Sequence, residues 1–175
     1  MDYYLRPVSP DDAADLSAIR RMPGVFETIT GIVTERVERT KRRLAEMDEN
    51  THQLVAVIKG ESNVETVVAK CGIKVDKNPR RRHCANLTVL VHGDYQNCGI
   101  GSKLLESILD VADNWLMLVR VELNVAADNE RAIHLYEKFG FVNEGTRRCY
   151  TIRNGKYVDH LIMARIRNVP MPSST

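Results

Sequence analysis

Residues 84–102, CANLTVLVHGDYQNCGIGS, decide the fold. Residues 84–91 are β-branched and apolar, which predicts a strand, and a helix is expected to follow as far as about Asn114. The helix opens on Gly99 and Gly101. Glycines at such a turn let backbone amides approach an anion without obstruction by a Cβ atom, and a helix N-terminus favours negative charge. The stretch therefore predicts a strand, a glycine loop that cradles a pyrophosphate, and a helix.

The glycine loop differs from two common nucleotide-binding loops. It lacks the Gly-Lys-Ser/Thr of a Walker-type loop, and Leu104 occupies the third glycine position of a dinucleotide fingerprint. Nucleoside triphosphates and NAD are therefore disfavoured as ligands. Taken alone, the Q-x-x-G-x-G pattern is also compatible with a tight strand-to-helix turn that binds nothing.

Two helices and three strands are predicted before this stretch. Ser9-Pro10-Asp11-Asp12 has the residues of a helix start, with Ser9 as the cap. The predicted elements are a strand at Tyr3–Arg6, a helix from Ser9 that ends by Met22-Pro23-Gly24, a helix at about Thr34–Asp48, and a hairpin of Gln53–Lys59 and Val64–Val75.

After the stretch, one helix and three strands are predicted. Asn154-Gly155 is a strong signal for a type I′ hairpin turn, and Gly140 is placed to end the helix. The elements are a strand at Val119–Val125, a helix at Asn129–Phe139, and strands at Phe141–Ile152 and Lys156–Ile166. The order of all the elements indicates an α/β protein with a mixed sheet and helices on both faces.

Composition places the chain among ordinary globular proteins. It has 175 residues, of which 43% are hydrophobic and 27% are charged, with a net charge of +2. This length predicts a single domain, assigned to residues 1–168, with a frayed tail at 169–175. A net charge this small does not predict a nucleic-acid partner.

The cysteines and the apolar segments point to an intracellular setting. The four cysteines, which form no C-x-x-C pair, are expected to be free thiols, and no metal site is expected. Met1–Pro7 has no signal-peptide pattern, and the longest apolar run, Trp115–Val119, is too short to span a bilayer. A cytoplasmic protein that does not associate with membranes is expected.

A second group of residues lies in the helix that follows Asn129. Ala132, Leu135, Tyr136 and Phe139 share one face of it, and most of that face is expected to be core. For Tyr136 two interpretations stay open at this point, an amphipathic tyrosine at the edge of the core and a functional hydroxyl.

Together these segments closely resemble the GCN5-related N-acetyltransferases. The resemblance lies in the strand, the Q-x-x-G-x-G loop, the following helix and the pattern N-x-x-A-x-x-L-Y-x-x-x-G-F, and it covers Cys84–Phe141. It implies a central mixed, mostly antiparallel sheet flanked by helices, and acetyl-CoA as the cofactor. The carboxy-terminal stretch, with Tyr150 and Arg153–Asp159, resembles the branch that acetylates free amino acids or other small amines.

The resemblance also implies roles for individual residues. One strand pairs its backbone with the pantetheine arm, a loop holds the pyrophosphate, an asparagine contacts the cofactor, and a tyrosine beside the sulfur is the candidate acid for the departing thiolate. Val89, Leu90 and Val91 match the strand, and Asn129 and Tyr136 match the asparagine and the tyrosine. The loop matches Asn97, Cys98, Gly99, Ile100, Gly101 and Ser102.

The general base is less directly implied. An amine acceptor is mostly ammonium at neutral pH and must lose a proton before it attacks the thioester. Some members of the family carry a glutamate five residues before the cofactor asparagine, where this chain has Asn124. Strand alternation places Glu122 on the same face, so Glu122 is the candidate base, with a partner for a nearby cation as its alternative role.

The acceptor side is assigned to Gly24–Ile32 and the final hairpin, which wall the cleft in this family. Glu27 and Asp159 are candidates for attracting the acceptor ammonium, and Asn124 is a further candidate acceptor contact. The leading function is acetylation of a small amine, such as a free L-amino acid.

Several alternatives stay open. They are acetylation of a protein N-terminus or lysine, and a non-catalytic module that binds acyl-CoA or RNA. The basic residues Arg80–Arg82 are candidates for RNA or for the cofactor's 3′-phosphate, and a solvated loop is their other interpretation. A homodimer is expected from the family alone.

Overall fold

One sheet contains every strand of the part of the chain that the computed structural model describes, residues 2–32, 34–60 and 63–167. The strands are β1 (Tyr3–Pro7), β2 (Thr51–Lys59), β3 (Glu65–Val75), β4 (Cys84–Val91), β5 (Arg120–Ala126), β6 (Val142–Arg153) and β7 (Lys156–Ile166). Their order across the sheet is β1-β2-β3-β4-β5-β7-β6, and only β4 and β5 are parallel neighbours within these residues. The predicted mixed, mostly antiparallel sheet is confirmed.

The α-helices of these residues are α1 (Ala13–Arg20), α2 (Val37–Ala45), α3 (Ile100–Asp110) and α4 (Glu130–Lys138). A π-helical turn, Val111–Trp115, extends α3 to the end that the sequence predicts. By contrast, α2 is shorter than the predicted Thr34–Asp48, and the residue before its first turn, Arg36, has an extended backbone and makes no side-chain cap.

Local side-chain bonds fix the short 3-10 turn, Pro10–Asp12, that leads into α1. The Ser9 hydroxyl accepts a hydrogen bond from the Asp11 N–H at 3.3 Å, and the Asp12 carboxylate accepts one from the Ser9 N–H at 2.7 Å. Arg6 donates two further hydrogen bonds to Asp12, at 2.8 and 2.7 Å. These contacts tie the start of the helix to β1 and so position α1 over the sheet.

The helices cover the two faces of the sheet in pairs. Leu104 and Leu105 of α3 pack in one buried cluster with Tyr136 of α4. Leu16 of α1 and Leu44 of α2 belong to a second cluster, on the opposite face. Each cluster buries the strand residues that point toward it, so helices lie on both faces as predicted.

The sheet divides between β4 and β5. Their pairing is limited to three positions, which are Cys84 with Arg120, Ala85 with Val121, and Asn86 with Glu122. Beyond them β4 stays paired with β3, and β5 stays paired with β7 as far as Ala126. A gap therefore opens between the two strands in the middle of the sheet.

Three further predictions concern the tail, membrane-spanning helices and the cysteines. The tail at 169–175 lies outside the described residues. Within the described ranges, no helix is both long and apolar enough to cross a membrane. The four cysteines are free, Cys71 and Cys84 buried, and Cys98 and Cys149 exposed.

Candidate active site

The backbone of β4 presents polar groups to the gap. The His92 N–H donates to the Val68 carbonyl on the β3 side at 2.8 Å. Backbone groups of an antiparallel strand point alternately to its two neighbours, so even-numbered residues of β4 bond to β3. The backbone N–H and C=O groups of Leu87, Val89 and Val91 consequently face the gap.

A cavity of about 750 Å³ runs through this gap. Its wall includes residues of α3 and α4, such as Ser102 and Tyr136, and residues from the other face of the sheet, such as Arg20 and Lys70. The two sets lie on opposite faces, so the cavity connects them across the sheet. An acyl donor on one side and an acceptor on the other side can meet at β4.

The N-terminus of α3 forms one end of the cavity. Its cap residue, Gly99, has a φ of +80° and contributes no side-chain cap. The first helical hydrogen bond runs from the Lys103 N–H to the Gly99 carbonyl, which leaves the N–H groups of Ile100, Gly101 and Ser102 free of helical partners. Such uncapped N–H groups, with the helix dipole behind them, suit an anionic group.

The residues of the predicted pyrophosphate loop are placed differently from one another. Side chains or backbone of Asn97, Gly99, Gly101 and Ser102 line the cavity. Ile100 is buried in the core, so only its backbone is available to a ligand, and Cys98 is exposed. The Cys98 thiol contacts the Gln96 carbonyl at 3.4 Å and is not part of the cavity wall.

Helix α4 brings Asn129 and Tyr136 to the same cavity. Asn129 caps the helix, because its Oδ1 accepts a hydrogen bond from the Ala132 N–H at 3.2 Å. Tyr136 is 8% exposed and its ring packs against Phe141. Burial raises the pKa of Tyr136, so the phenol stays protonated at neutral pH and is available as a hydrogen-bond donor. Tyr136 is thus both a core residue and a cavity residue.

The opposite end of the cavity contains groups for which the sequence predicted no functional role. Arg20, Arg43 and Lys70 line it, together with Gln53 and His160. A lysine within the apolar run Val67–Ile73 is the sequence signal that would have pointed to Lys70.

His160 is buried, and one of its two ring nitrogens has a hydrogen-bond partner among the described residues. Its Nε2 lies 3.0 Å from the Thr151 hydroxyl, and its Nδ1 is enclosed with no partner among the described residues. Burial lowers the pKa of His160, so the ring is neutral at pH 7.

Comparison with known proteins decides the family. The model of a family described as Acetyltransferase (GNAT) family matches residues 23–141, which is more than half of the chain. This chain belongs to the GNAT family. It is therefore an N-acetyltransferase that takes its acetyl group from acetyl-CoA, and the predictions of the family, the enzyme class and the cofactor are confirmed.

This acetyltransferase is similar to proteins with different acceptors. An L-amino acid N-acetyltransferase of Escherichia coli K12 is 43% identical over 115 residues, 66% of this chain and 68% of that protein. A spermidine N(1)-acetyltransferase of Vibrio cholerae is 35% identical over 75 residues, 43% of each chain. A GNAT-family acetyltransferase from Streptococcus pneumoniae has a structure that matches with a TM-score of 0.77 and 28% identity, over 95% of this chain and 100% of that one.

Glu122 lies outside the cavity of the acetyltransferase. Its carboxylate is 2.8 Å from Arg120 Nε and 3.3 Å from Arg81 Nη2. Alternation along β5 does place Glu122 on the face of Asn124, and Asn124 lines the cavity. Glu122, however, is opposite Asn86, at the last paired position before the gap opens. The prediction of Glu122 as the base therefore does not fit the structure, and its alternative role as a partner for cations does.

The two acidic residues predicted to attract the acceptor are engaged elsewhere. Glu27 accepts a hydrogen bond from the Gly24 N–H at 2.7 Å, and Asp159 accepts one from the Cys149 N–H at 2.7 Å. Neither lines the cavity. The segments that carry them do, through residues such as Thr28 and Tyr150.

The basic residues at 80–82 are remote from the cavity wall. Arg81 forms ion pairs with Asp76 and Glu122, and Arg82 donates to the Asn50 side chain at 3.3 Å. The charge of Arg81 is thus balanced within the protein, whereas Arg82 contacts a neutral side chain.

Proposed function

We propose that this enzyme acetylates the amine of a small molecule, with a free L-amino acid as its acceptor. The observation that carries the proposal is the cavity through the gap between β4 and β5, which offers a donor end at α3 and an acceptor end at α1 and α2. The similarity to an L-amino acid N-acetyltransferase supports the choice of acceptor.

In this proposal the donor end binds the pyrophosphate, the pantetheine arm and the thioester of acetyl-CoA. Backbone N–H groups from Asn97 to Ser102 hold the pyrophosphate, and Asn129 contacts the cofactor. The backbone of Val89 and Val91, which faces the gap, pairs with the pantetheine arm. The Val89 N–H is the donor assigned to the thioester oxygen, where negative charge develops during attack.

Proton transfer in this proposal uses one protein group. No Asp or Glu of the described residues lines the cavity, and in this proposal the acceptor ammonium loses its proton to solvent in the open cleft. The neutral amine attacks the thioester carbon and a C–N bond forms. The nitrogen, now positively charged, loses its second proton to solvent as the C–S bond breaks. Tyr136, protonated at neutral pH, donates to the departing thiolate sulfur, and its phenol regains from solvent the proton that it donates.

An acceptor panel tests the proposal. Purified enzyme and acetyl-CoA are mixed with each free L-amino acid, with polyamines and with peptides, and thiol release is measured. We expect release with free amino acids. Release with peptides alone would instead assign the enzyme to protein N-termini or lysines, and release with polyamines alone would exclude the amino-acid acceptor.

A further inference from the structure

Three cations converge at the acceptor end of the cavity. Lys70 lies on β3 and pairs with Val55 of β2 and Leu90 of β4, both of which belong to the cluster under α1 and α2. Arg20 is the last residue of α1, and Arg43 lies on α2. All three line the cavity, so their charges act on whatever occupies it.

The protein supplies little negative charge to balance this group. Glu35 is 3.3 Å from Arg43 and 3.9 Å from Arg20, and the same carboxylate also pairs with Arg39 at 3.5 Å. Within the described ranges, Lys70 has no ion pair and no side-chain hydrogen bond.

The free ammonium of Lys70 is costly to keep in place. Lys70 is half-buried, and this partial burial, with Arg20 and Arg43 nearby, lowers the pKa of Lys70 to about 8. A charge removed from water is normally paired with an opposite charge. Lys70 lines a ligand cavity, so an anionic group of the ligand can be its partner.

The other charged residues of the cavity wall are also positive. Its other cationic residues are Arg131 and Lys138 of α4, toward the donor end, and no carboxylate of the described residues accompanies them. A polyamine would therefore find no counter-charge here, and an amine with an anionic group would.

We propose that Lys70 and Arg20 bind an anionic group of the acceptor, so that the enzyme selects amines that carry a carboxylate. The inference rests on the proposed function and adds the recognition element to it. The carboxylate of a free amino acid is lost in an amino-acid amide or a peptide bond, so this contact separates free amino acids from those compounds and from polyamines.

The test compares acids with their amides in matched pairs. Values of kcat/KM are measured for L-leucine against L-leucinamide, and for L-glutamate against L-glutamine, with wild type, Lys70→Met and Lys70→Arg. We expect wild type to prefer L-leucine and Lys70→Met to reduce that preference by about tenfold to a hundredfold, the loss typical of a charged hydrogen bond. Lys70→Arg should keep most of it. If the preference lost with Lys70 is that for L-glutamate over L-glutamine, the anion is the side-chain carboxylate, which also supports the proposal.

Lys74→Met is the matched control. Lys74 lies on the same strand, is exposed, and does not line the cavity, so the acid-to-amide ratio should not change. The proposal is overturned if wild type acetylates acid and amide equally well, or if Lys70→Met slows both by the same factor. A wild-type enzyme that acetylates no free amine would reject the proposed function itself, which is a different result.

Discussion

Lys70 is a charged residue in an otherwise apolar part of β3, and its position should cost stability. Its pKa in the folded chain, about 8, is below its ordinary value of 10.5. Each unit of difference corresponds to about 1.4 kcal/mol, so we expect Lys70→Met to raise the free energy of unfolding by about 1 to 3 kcal/mol at pH 7.

The stability cost of Lys70 should decrease as the pH rises. The folded state binds the Lys70 proton less tightly than the unfolded state, so the cost is complete below pH 8 and shrinks as the pH rises toward 10.5. Urea denaturation should show a larger gain for Lys70→Met at pH 7 than at pH 10, and little change for Lys74→Met. A variant less stable than wild type would mean that the ammonium has a partner in the free enzyme.

Tyr136 is the other residue whose role depends on its protonation. Tyr136→Phe removes the hydroxyl and keeps the ring that packs against Phe141. We expect turnover to fall by about 10² to 10⁴-fold, as is typical for the loss of a general acid. The measurement is single-turnover acetyl transfer, with coenzyme A affinity by calorimetry as the control. Unchanged single-turnover rates would remove Tyr136 from the chemical step.

At the scale of elements, the assignment of the start of α3 as the pyrophosphate site can be tested directly. A Cβ atom at Gly101 would lie 3.5 Å from Val91 Cγ2, an ordinary contact, so Gly101→Ala should fold as wild type does, and weaker binding of coenzyme A by this variant would report obstruction of the ligand by the added methyl group. Gly101→Glu adds bulk and a negative charge beside the uncapped N–H groups, and we expect about tenfold weaker binding or more.

Calorimetry with coenzyme A measures both variants. Ser107→Glu, farther along the same helix and outside the cavity wall, carries the same added charge and should bind as wild type does. Equal weakening by Gly101→Glu and Ser107→Glu would point to a general charge effect and count against the loop as the pyrophosphate site.

The elements themselves were largely predictable, because their signals are local. Asn154 and Gly155 both have positive φ, as the type I′ turn requires, and Gly140 is left-handed at the end of α4. The place where two strands separate depends on pairing across the whole sheet. For that reason alternation gave the correct face for Glu122 but could not show that it precedes the gap. The apolar run Val67–Ile73 marks Lys70 as unusual, but it does not show that Lys70 faces a cavity.

At the scale of the molecule, the gap divides the sheet into β1 to β4 and β5 to β7. The backbone of Val89 and Val91 faces the gap, whereas that of Thr88 and Leu90 bonds to β3. If the pantetheine arm pairs with β4, coenzyme A should slow hydrogen exchange at the first pair of amides much more than at the second. NMR-detected exchange measures the difference. Equal slowing along β4 would indicate general stabilisation by binding and no strand-like pairing.

The gap also bears on how the protein avoids aggregation. Unpaired backbone groups at a sheet edge attract strands from other chains. The outer strand β6 has charged side chains and two interruptions of its pairing with β7, and β1, at the other edge, has only five residues. The inner edge along β4 has no such protection of its own, but residues of all four helices or their flanking loops wall the cavity around it. Access to this edge is through the cleft that receives the substrates, so the walls that position the substrates also restrict the approach of strands from other chains.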